Sequence, residues 1–359
     1  MAGSRLKELL GGPVVKKIHK AHGKGILDRA SAFDSGPCPR IPTGIFMLDY
    51  ALGGGWAVGN VNVSWGHKSS TKTTTYLRSI ANAQKMCRGC WKFRPCGCDR
   101  EEAPLVCFLD VEGTLDKTWA KRMGVDLDEL GYSKPEYAEQ TLDIAEALIR
   151  NGADVLCLDS LAFLTPSKEI EQSVAKETVG LQARLIGKGT RKFVAAINTV
   201  GNETGMPPTL LFTNQVRMKV GVMFGNPETQ PGGLANGFAS AIEVKLGAGK
   251  YEMDEILGQP VAAEFRYRVE KNKVSAARMQ GEFKMYMADT EFRKVGDPMN
   301  EADMVSMGEK IGLVEGSGSS WSALGEKYKG KSKITQRLLE DPEFYAKMYA
   351  ALMTILLAD

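Results

Sequence analysis

The segment Gly66-His67-Lys68-Ser69-Ser70-Thr71-Lys72-Thr73 lies between an apolar run, Val61–Trp65, and a stretch of helical character, Thr73–Met86. A glycine-led loop between a strand and a helix makes a phosphate cradle, because backbone N–H groups and a helix N-terminus converge on the anion. Lys72 then reaches the β- and γ-phosphates, and the Thr73 hydroxyl ligates Mg2+. Gly66, Ser69, Ser70, Thr71, Lys72, Thr73 and Thr74 are the candidate nucleotide contacts. Thr71 departs from the usual pattern: glycine commonly precedes the lysine, and a Cβ crowds the approach of backbone to phosphate. The plain alternative is a loop that merely contains Lys-Thr.

From about Ile41 to about Ala288, short apolar runs alternate with longer helical stretches. Val61–Trp65, Leu105–Asp110, Val155–Asp159 and Leu210–Asn214 read as buried parallel strands; Thr73–Met86 and Glu139–Asn151 read as helices. The pattern predicts an α/β fold with a doubly wound, mainly parallel sheet. Ligands bind at the carboxyl edge of such sheets, and two carboxylates stand there. Asp159 ends one run and can hold Mg2+ through water. Glu112 follows another and can orient and deprotonate an attacking water. Each could instead cap the following helix. With the loop, they point to a nucleoside triphosphatase.

Residues 1–34 are basic and broken by glycines, and Pro37, Pro39 and Pro42 mark a linker, so 1–40 form an N-terminal segment and linker. The core spans 41–288. Residues 289–359 turn more helical and polar, with a Gly/Ser stretch at Gly316–Ser320, and read as a small C-terminal domain. No internal repeat is present. With 43% apolar and 25% charged residues, the chain can build an ordinary soluble core. It lacks a membrane span and a secretory signal, and it reads as cytoplasmic. A net charge of +3 does not by itself imply nucleic acid, so a DNA role must rest on local basic residues.

Four of the seven cysteines crowd into Cys87, Cys90, Cys96 and Cys98. Four thiolates this close suit tetrahedral structural Zn2+; free thiols are the alternative. The cluster sits in an insertion, 86–104, that a metal would order. Arg88, Lys92 and Arg94, with Trp91 and Phe93, could bind duplex DNA or a partner protein, or simply wrap the metal. The knuckle is expected on the outside of the core, away from the nucleotide edge. Cys107 and Cys157 read as small core residues.

Several segments closely resemble the bacterial RecA recombinase family. Val216-Arg217-Met218-Lys219-Val220-Gly221-Val222-Met223-Phe224-Gly225-Asn226-Pro227-Glu228-Thr229 is nearly the family's second DNA-binding loop. Ile41–Gly53, Asp159–Pro166 and Lys271-Asn272-Lys273 are similar to further family segments, and the resemblance runs from about residue 15 to the C-terminus. It identifies a divergent member, of cellular or bacteriophage origin, with a RecA-type ATPase core. It implies a recombinase that uses ATP and Mg2+, polymerises on single-stranded DNA and pairs it with homologous duplex.

The resemblance assigns catalysis to Glu112, Lys72, Gln215, Lys271 and Lys273. Gln215 would sense the γ-phosphate, and the two lysines would reach the ATP of a neighbouring subunit. Thr73 and Asp159 would hold Mg2+, and Asp116 and Trp119 would contact adenine. Arg184, Arg191, Arg217, Met218 and Lys219 would bind DNA with the Gly232 and Gly233 amides, while Val179 and Val220 would wedge between stacked bases. The N-terminal motif His22-Gly23-Lys24-Gly25 would pack on the next subunit, together with Phe238. Single-strand-binding and loader proteins are further expected partners. Familiar relatives have only a short connection where the cysteines stand. The alternatives are a RadA-type DNA-repair ATPase or helicase, and a DNA-coating protein that has lost hydrolysis.

Overall fold

Strands buried on both faces have no room for polar alternation, which is why they read as unbroken apolar runs. In the computed structural model, which describes residues 2–23, 26–33, 36–99, 101–172, 180–218, 227–232, 237, 239–276 and 279–358, the chain forms two compact units, Met1–Cys38 and Pro39–Asp359. The first contains α1 (Ala2–Gly11) and α2 (Pro13–His22). Pro13 opens α2 at a position where an N–H would have no helical acceptor.

The second unit begins with a ribbon of β1 (Arg40–Ile41) and β2 (Trp56–Ala57). Its main sheet contains β3 (Val61–Gly66), β4 (Val106–Asp110), β5 (Leu130–Ser133), β6 (Val155–Asp159) and β7 (Thr209–Gln215). A second ribbon, β8 (Arg217–Met218) with β9 (Glu228–Thr229), follows β7. β10 (Ile242–Met253), β11 (Pro260–Asn272) and β12 (Gln280–Tyr286) complete the main sheet in the order β12-β11-β10-β3-β7-β6-β4-β5. β10 through β5 in that order run parallel, and β11 and β12 join antiparallel. The sheet is therefore mainly parallel, as the sequence predicts, and the predicted strands shift by no more than one residue at either end.

The connecting helices are α3 (Phe46–Leu52), α4 (Lys72–Lys85), α5 (Lys117–Arg122), α6 (Ala138–Arg150), α7 (Ser167–Glu171) and α8 (Leu181–Thr204). Val61, Val63, Leu158 and Phe212 share one core cluster with Ile149 of α6 and Ile186 and Phe193 of α8. Alternate strand residues face the other way. There the fully buried Tyr76 of α4 donates its hydroxyl hydrogen to the Phe212 carbonyl, 3.0 Å away. This contact ties α4 to the middle of β7.

The predicted helical character after Phe292 leaves out a sheet. α9 (Asn300–Lys310), α10 (Lys331–Glu340) and α11 (Pro342–Leu356) accompany an antiparallel sheet of β13 (Val314–Ser317), β14 (Ser320–Ala323) and β15 (Glu326–Lys329). The Gly/Ser stretch forms the β13–β14 turn, where Gly318 has φ +54°. Met304, Ile334, Leu338, Phe344 and Met348 close a core with Phe46 of α3. Beside it, Asp49 is fully buried and accepts hydrogen bonds from Thr43 N (2.7 Å), Thr43 Oγ1 (2.8 Å), Gly44 N (2.9 Å) and Tyr349 OH (2.6 Å). Burial pushes its carboxyl up to about 6, against these four donors. Among the described residues no helix is long and apolar enough to cross a membrane.

Tyr349→Phe keeps the ring packing and removes one donor to a buried carboxyl. We expect it to cost about 1.5–3 kcal/mol, seen as a lower urea midpoint at unchanged slope. A variant as stable as the parent would show that the bond contributes nothing.

Candidate functional site

Parallel register brings the candidate residues to one edge. Gly66 ends β3 beside Gln215 at the end of β7, and Asp159 ends β6 beside Asp110 of β4. Gly66 is required by packing: a Cβ there would lie 2.0 Å from the Leu246 carbonyl oxygen of β10. After it, Lys72 Nζ donates to the carbonyls of His67 (2.7 Å) and Gly66 (3.2 Å) and to Ser70 Oγ (3.2 Å). Thr73 Oγ1 donates to Asp159 Oδ2 at 2.6 Å, and Thr213 of β7 donates to the other carboxylate oxygen. Burial pushes the Asp159 carboxyl up, partly offset by these hydroxyls. Burial likewise pulls the Lys72 ammonium down, against the attraction of Asp159 and Glu112.

Glu112 lies just past β4, and its Oε1 accepts from Ser160 Oγ (2.7 Å) and Gln215 Nε2 (3.1 Å). Its backbone N–H and that of Val111 both donate to the Asp159 carbonyl. Glu112 and Asp159 thus serve the edge rather than capping a helix. Asp116 does cap one, accepting from Thr118 N and Trp119 N at the start of α5. Trp119 Nε1 donates to Thr74 Oγ1 at 3.2 Å, which joins two of the predicted nucleotide contacts. The edge can therefore offer a lysine, a hydroxyl and a carboxylate for a metal-bound triphosphate, with a second carboxylate beside them.

Lys271 and Lys273 are not brought to this cluster within the chain. Lys271 pairs across β10 with Glu243, which stands beside Val63, three residues (about 10 Å) before Gly66. Its ammonium donates to the Gly237 carbonyl, and burial and then Lys273 pull it below its ordinary value. Arg184 and Arg191 are exposed on α8, and Lys188 stands between them on the same face at helical spacing. The i, i+4, i+7 spacing of Arg184, Lys188 and Arg191 is legible in the sequence. Arg217 and Met218 are exposed on β8, one residue beyond the end of β7 at Gln215, and Gly232 has φ +89°. Val179, Lys219, Val220, Gly233, Phe238, Lys24 and Gly25 lie outside the described residues.

Residues 12–290 match the family described as the RecA N-terminal domain. Protein RecA of Cutibacterium acnes is 36% identical over 346 residues, covering 96% of this chain and 90% of that protein. Protein RecA of Francisella tularensis subsp. novicida is 36% identical over 352 residues, covering 96% and 88%. The chain belongs to the RecA family.

In this RecA homologue the four clustered cysteines converge: their sulfurs all lie within 4.8 Å of one another. Tetrahedral Zn2+ with Zn–S near 2.3 Å would set them about 3.8 Å apart, so the donor set fits that ion. For Cys87, burial is outweighed by the Cys90 and Gly89 amides, and the thiol falls to about 7. For Cys96, the Cys98 amide is outweighed by burial and the neighbouring sulfurs, and the thiol rises to about 12. One thiolate thus opposes the next unless a cation joins them.

The insertion follows the C-terminal end of α4, a helix of 14 residues and so about 21 Å long. The cysteines therefore stand at the sheet edge opposite the phosphate loop. Its cations are partly engaged. Arg88 bonds Asp154 at 3.0 Å and pairs with Glu102 at 3.6 Å, while Arg94 donates to the Gln84 carbonyl at 2.9 Å. Wrapping the insertion onto the core accounts for these two arginines.

Thr71 sits at φ +62° in the left-handed region, and its buried Oγ1 has no hydrogen-bond partner among the described residues. Left-handed backbone costs a β-branched residue about 1–2 kcal/mol. Thr71→Gly should therefore stabilise the protein by about 1 kcal/mol, read as a higher melting temperature. An unchanged or lower value would show that the threonine side chain compensates locally.

Proposed function

We propose that this protein is an ATP-dependent homologous recombinase that forms helical filaments on single-stranded DNA and catalyses homologous pairing and strand exchange. The observation that carries the reading is the Gln215–Glu112 hydrogen bond at 3.1 Å. It connects the carboxylate beside the phosphate loop to the residue that precedes segment 216–229, which resembles the family's second DNA-binding loop. Nucleotide state and DNA contact can then report on each other through one side chain. The alignments, which cover 96% of this chain and 88–90% of the relatives, favour a recombinase over a RadA-type repair ATPase. The geometry of Glu112, Ser160 and Gln215 favours hydrolysis over passive DNA coating.

Lys72 binds the β- and γ-phosphates, with Gly66, Ser69, Ser70, Thr71 and Thr74 lining the loop. Thr73 and Asp159 hold Mg2+, which neutralises charge developing on the phosphates. Glu112 orients the attacking water and takes its proton; Gln215, held on Glu112, senses the γ-phosphate. Asp116 and Trp119 flank adenine. Lys271 and Lys273 act on a neighbouring subunit's ATP, so hydrolysis requires the polymer. Arg184, Arg191, Arg217, Met218 and Lys219 contact DNA with the Gly232 and Gly233 amides, and Val179 and Val220 wedge between bases. Phosphate contacts ignore base identity, which suits coating any sequence and leaving recognition to base pairing. The same reading divides the chain into 1–40, 41–288 and 289–359 and makes it cytoplasmic.

ATP hydrolysis should rise strongly with single-stranded DNA. Lys72→Ala should lower it by about 10²-fold or more, and Glu112→Gln should slow turnover by about 10²-fold while sparing filaments. Arg217→Ala should weaken binding to all sequences alike and reduce the salt slope by about one. Equal hydrolysis with and without DNA, at concentrations where polymers form, would refute the coupling.

Cys87, Cys90, Cys96 and Cys98 hold one structural Zn2+ per chain, whose role is to fold the insertion, because four thiolates leave no open position. Cys90→Ser should release the metal and lower local stability. Elemental analysis of protein purified without chelator should find one equivalent, and a value far below that would sink the assignment.

A further inference from the structure

The segment that Gln215 leads into is tied to the nucleotide edge a second time. Glu228 lies on β9, the strand that returns from segment 216–227 and pairs with β8. Its Oε1 is 2.8 Å from His67 Nε2, and its other oxygen accepts from Lys245 of β10. Lys245 stands beside Trp65 of β3, with its ammonium 5.1 Å from the indole centroid. His67 directly follows Gly66 in the phosphate loop, and its side chain is 62% exposed. Core packing therefore does not set the imidazole's position; the bond to Glu228 does. Lys245, and then His67, hold the Glu228 carboxyl below its ordinary range, so the acceptor is an anion.

We propose that His67 and Glu228 form a positioning pair that transmits phosphate binding to the DNA-contacting segment, in parallel with Gln215. The inference rests on the reading of the protein as a DNA-dependent ATPase. Gln215 reports through Glu112, on the hydrolytic side of the site. His67 reports through the loop backbone that closes on phosphate. When that backbone moves, Glu228 follows, and β9 moves with it against β8, the strand that carries Arg217 and Met218. Both ends of the DNA-contacting segment then respond to the nucleotide, one through each strand of the ribbon. Such coupling is a free energy shared by two sites: the factor by which nucleotide tightens DNA binding equals the factor by which DNA tightens nucleotide binding.

The experiment is a double-mutant cycle on the full chain. Dissociation constants for a fluorescent oligothymidylate are measured with and without a slowly hydrolysed ATP analogue, and the ratio is the readout. His67→Ala and Glu228→Gln should each lower the ratio by about threefold or more. The double variant should lose no more than Glu228→Gln alone, which already breaks the His67 contact together with the charge pair to Lys245. His67→Gln, which restores an N–H donor, should recover part of the ratio. A merely structural pair would weaken DNA binding equally with and without nucleotide; that result, or additive losses in the double variant, would overturn the proposal. A ratio of one in the parent protein would overturn the coupling itself, whereas hydrolysis that single-stranded DNA does not raise would overturn the ATPase reading beneath it.

Discussion

The Asp159 carboxylate is the point on which the nucleotide edge is organised. It ends β6, and it accepts hydrogen bonds from Thr73 at the start of α4 and Thr213 near the end of β7. Its own carbonyl receives the N–H groups of Val111 and Glu112 from beyond β4. Three strands and one helix therefore meet at a single buried residue. A buried carboxylate is tolerated only when partnered, so each of these contacts is under pressure to persist. Both side-chain donors are neutral hydroxyls, and the nearest cation, Lys72, is itself disfavoured by burial. The site has anionic and cationic groups that each lack a full counter-charge. A metal-bound triphosphate would satisfy both, which is a physical reason for this edge to bind one.

The parallel sheet was legible because burial on both faces removes polar residues from its strands, and β3 and β6 are buried from end to end. The antiparallel extension could have been read as well. Phe265, Tyr267 and Val269 alternate with Glu264, Arg266 and Arg268, and the burial of β11 follows that alternation. The C-terminal sheet offered less. Its strands have four residues each and are largely exposed, so no period rises above the polar background. Single residues of the site were legible as chemistry at strand ends. Their partners were not, because Gln215 meets Glu112 across 103 positions, His67 meets Glu228 across 161 and Tyr349 meets Asp49 across 300. Contacts of that span depend on register, which a local pattern does not carry.

The cysteine insertion shows the same limit from the other side. Its basic residues looked like a surface patch because sequence lists charges without their partners. In the fold, Asp154 at the start of β6 takes both Arg88 and the Leu105 N–H, so one carboxylate fastens the two ends of the insertion. Arg94 turns inward as well: its guanidinium reaches the Gln84 carbonyl and its backbone N–H reaches that of Lys85. These are carbonyls of the last turn of α4, which have no acceptor-satisfying N–H within the helix. The insertion therefore caps the helix whose other end carries the phosphate loop.

That placement separates two roles that share one helix. The middle of α4 is held independently of either end, by Tyr76 bonded to the Phe212 carbonyl and by Ser79, which accepts from Trp56 Nε1 at 3.0 Å. Loss of the cap would release carbonyls in the last turn, and helix ends fray over about one turn. Disorder starting at Lys85 would thus meet buried Ile80, Ser79 and Tyr76 before it reached Lys72. The cysteine cluster can stabilise or recruit without tuning the phosphate loop. Coupling has to arrive instead at the other edge of the sheet, where Gln215 touches Glu112 and Glu228 touches His67 of the phosphate loop.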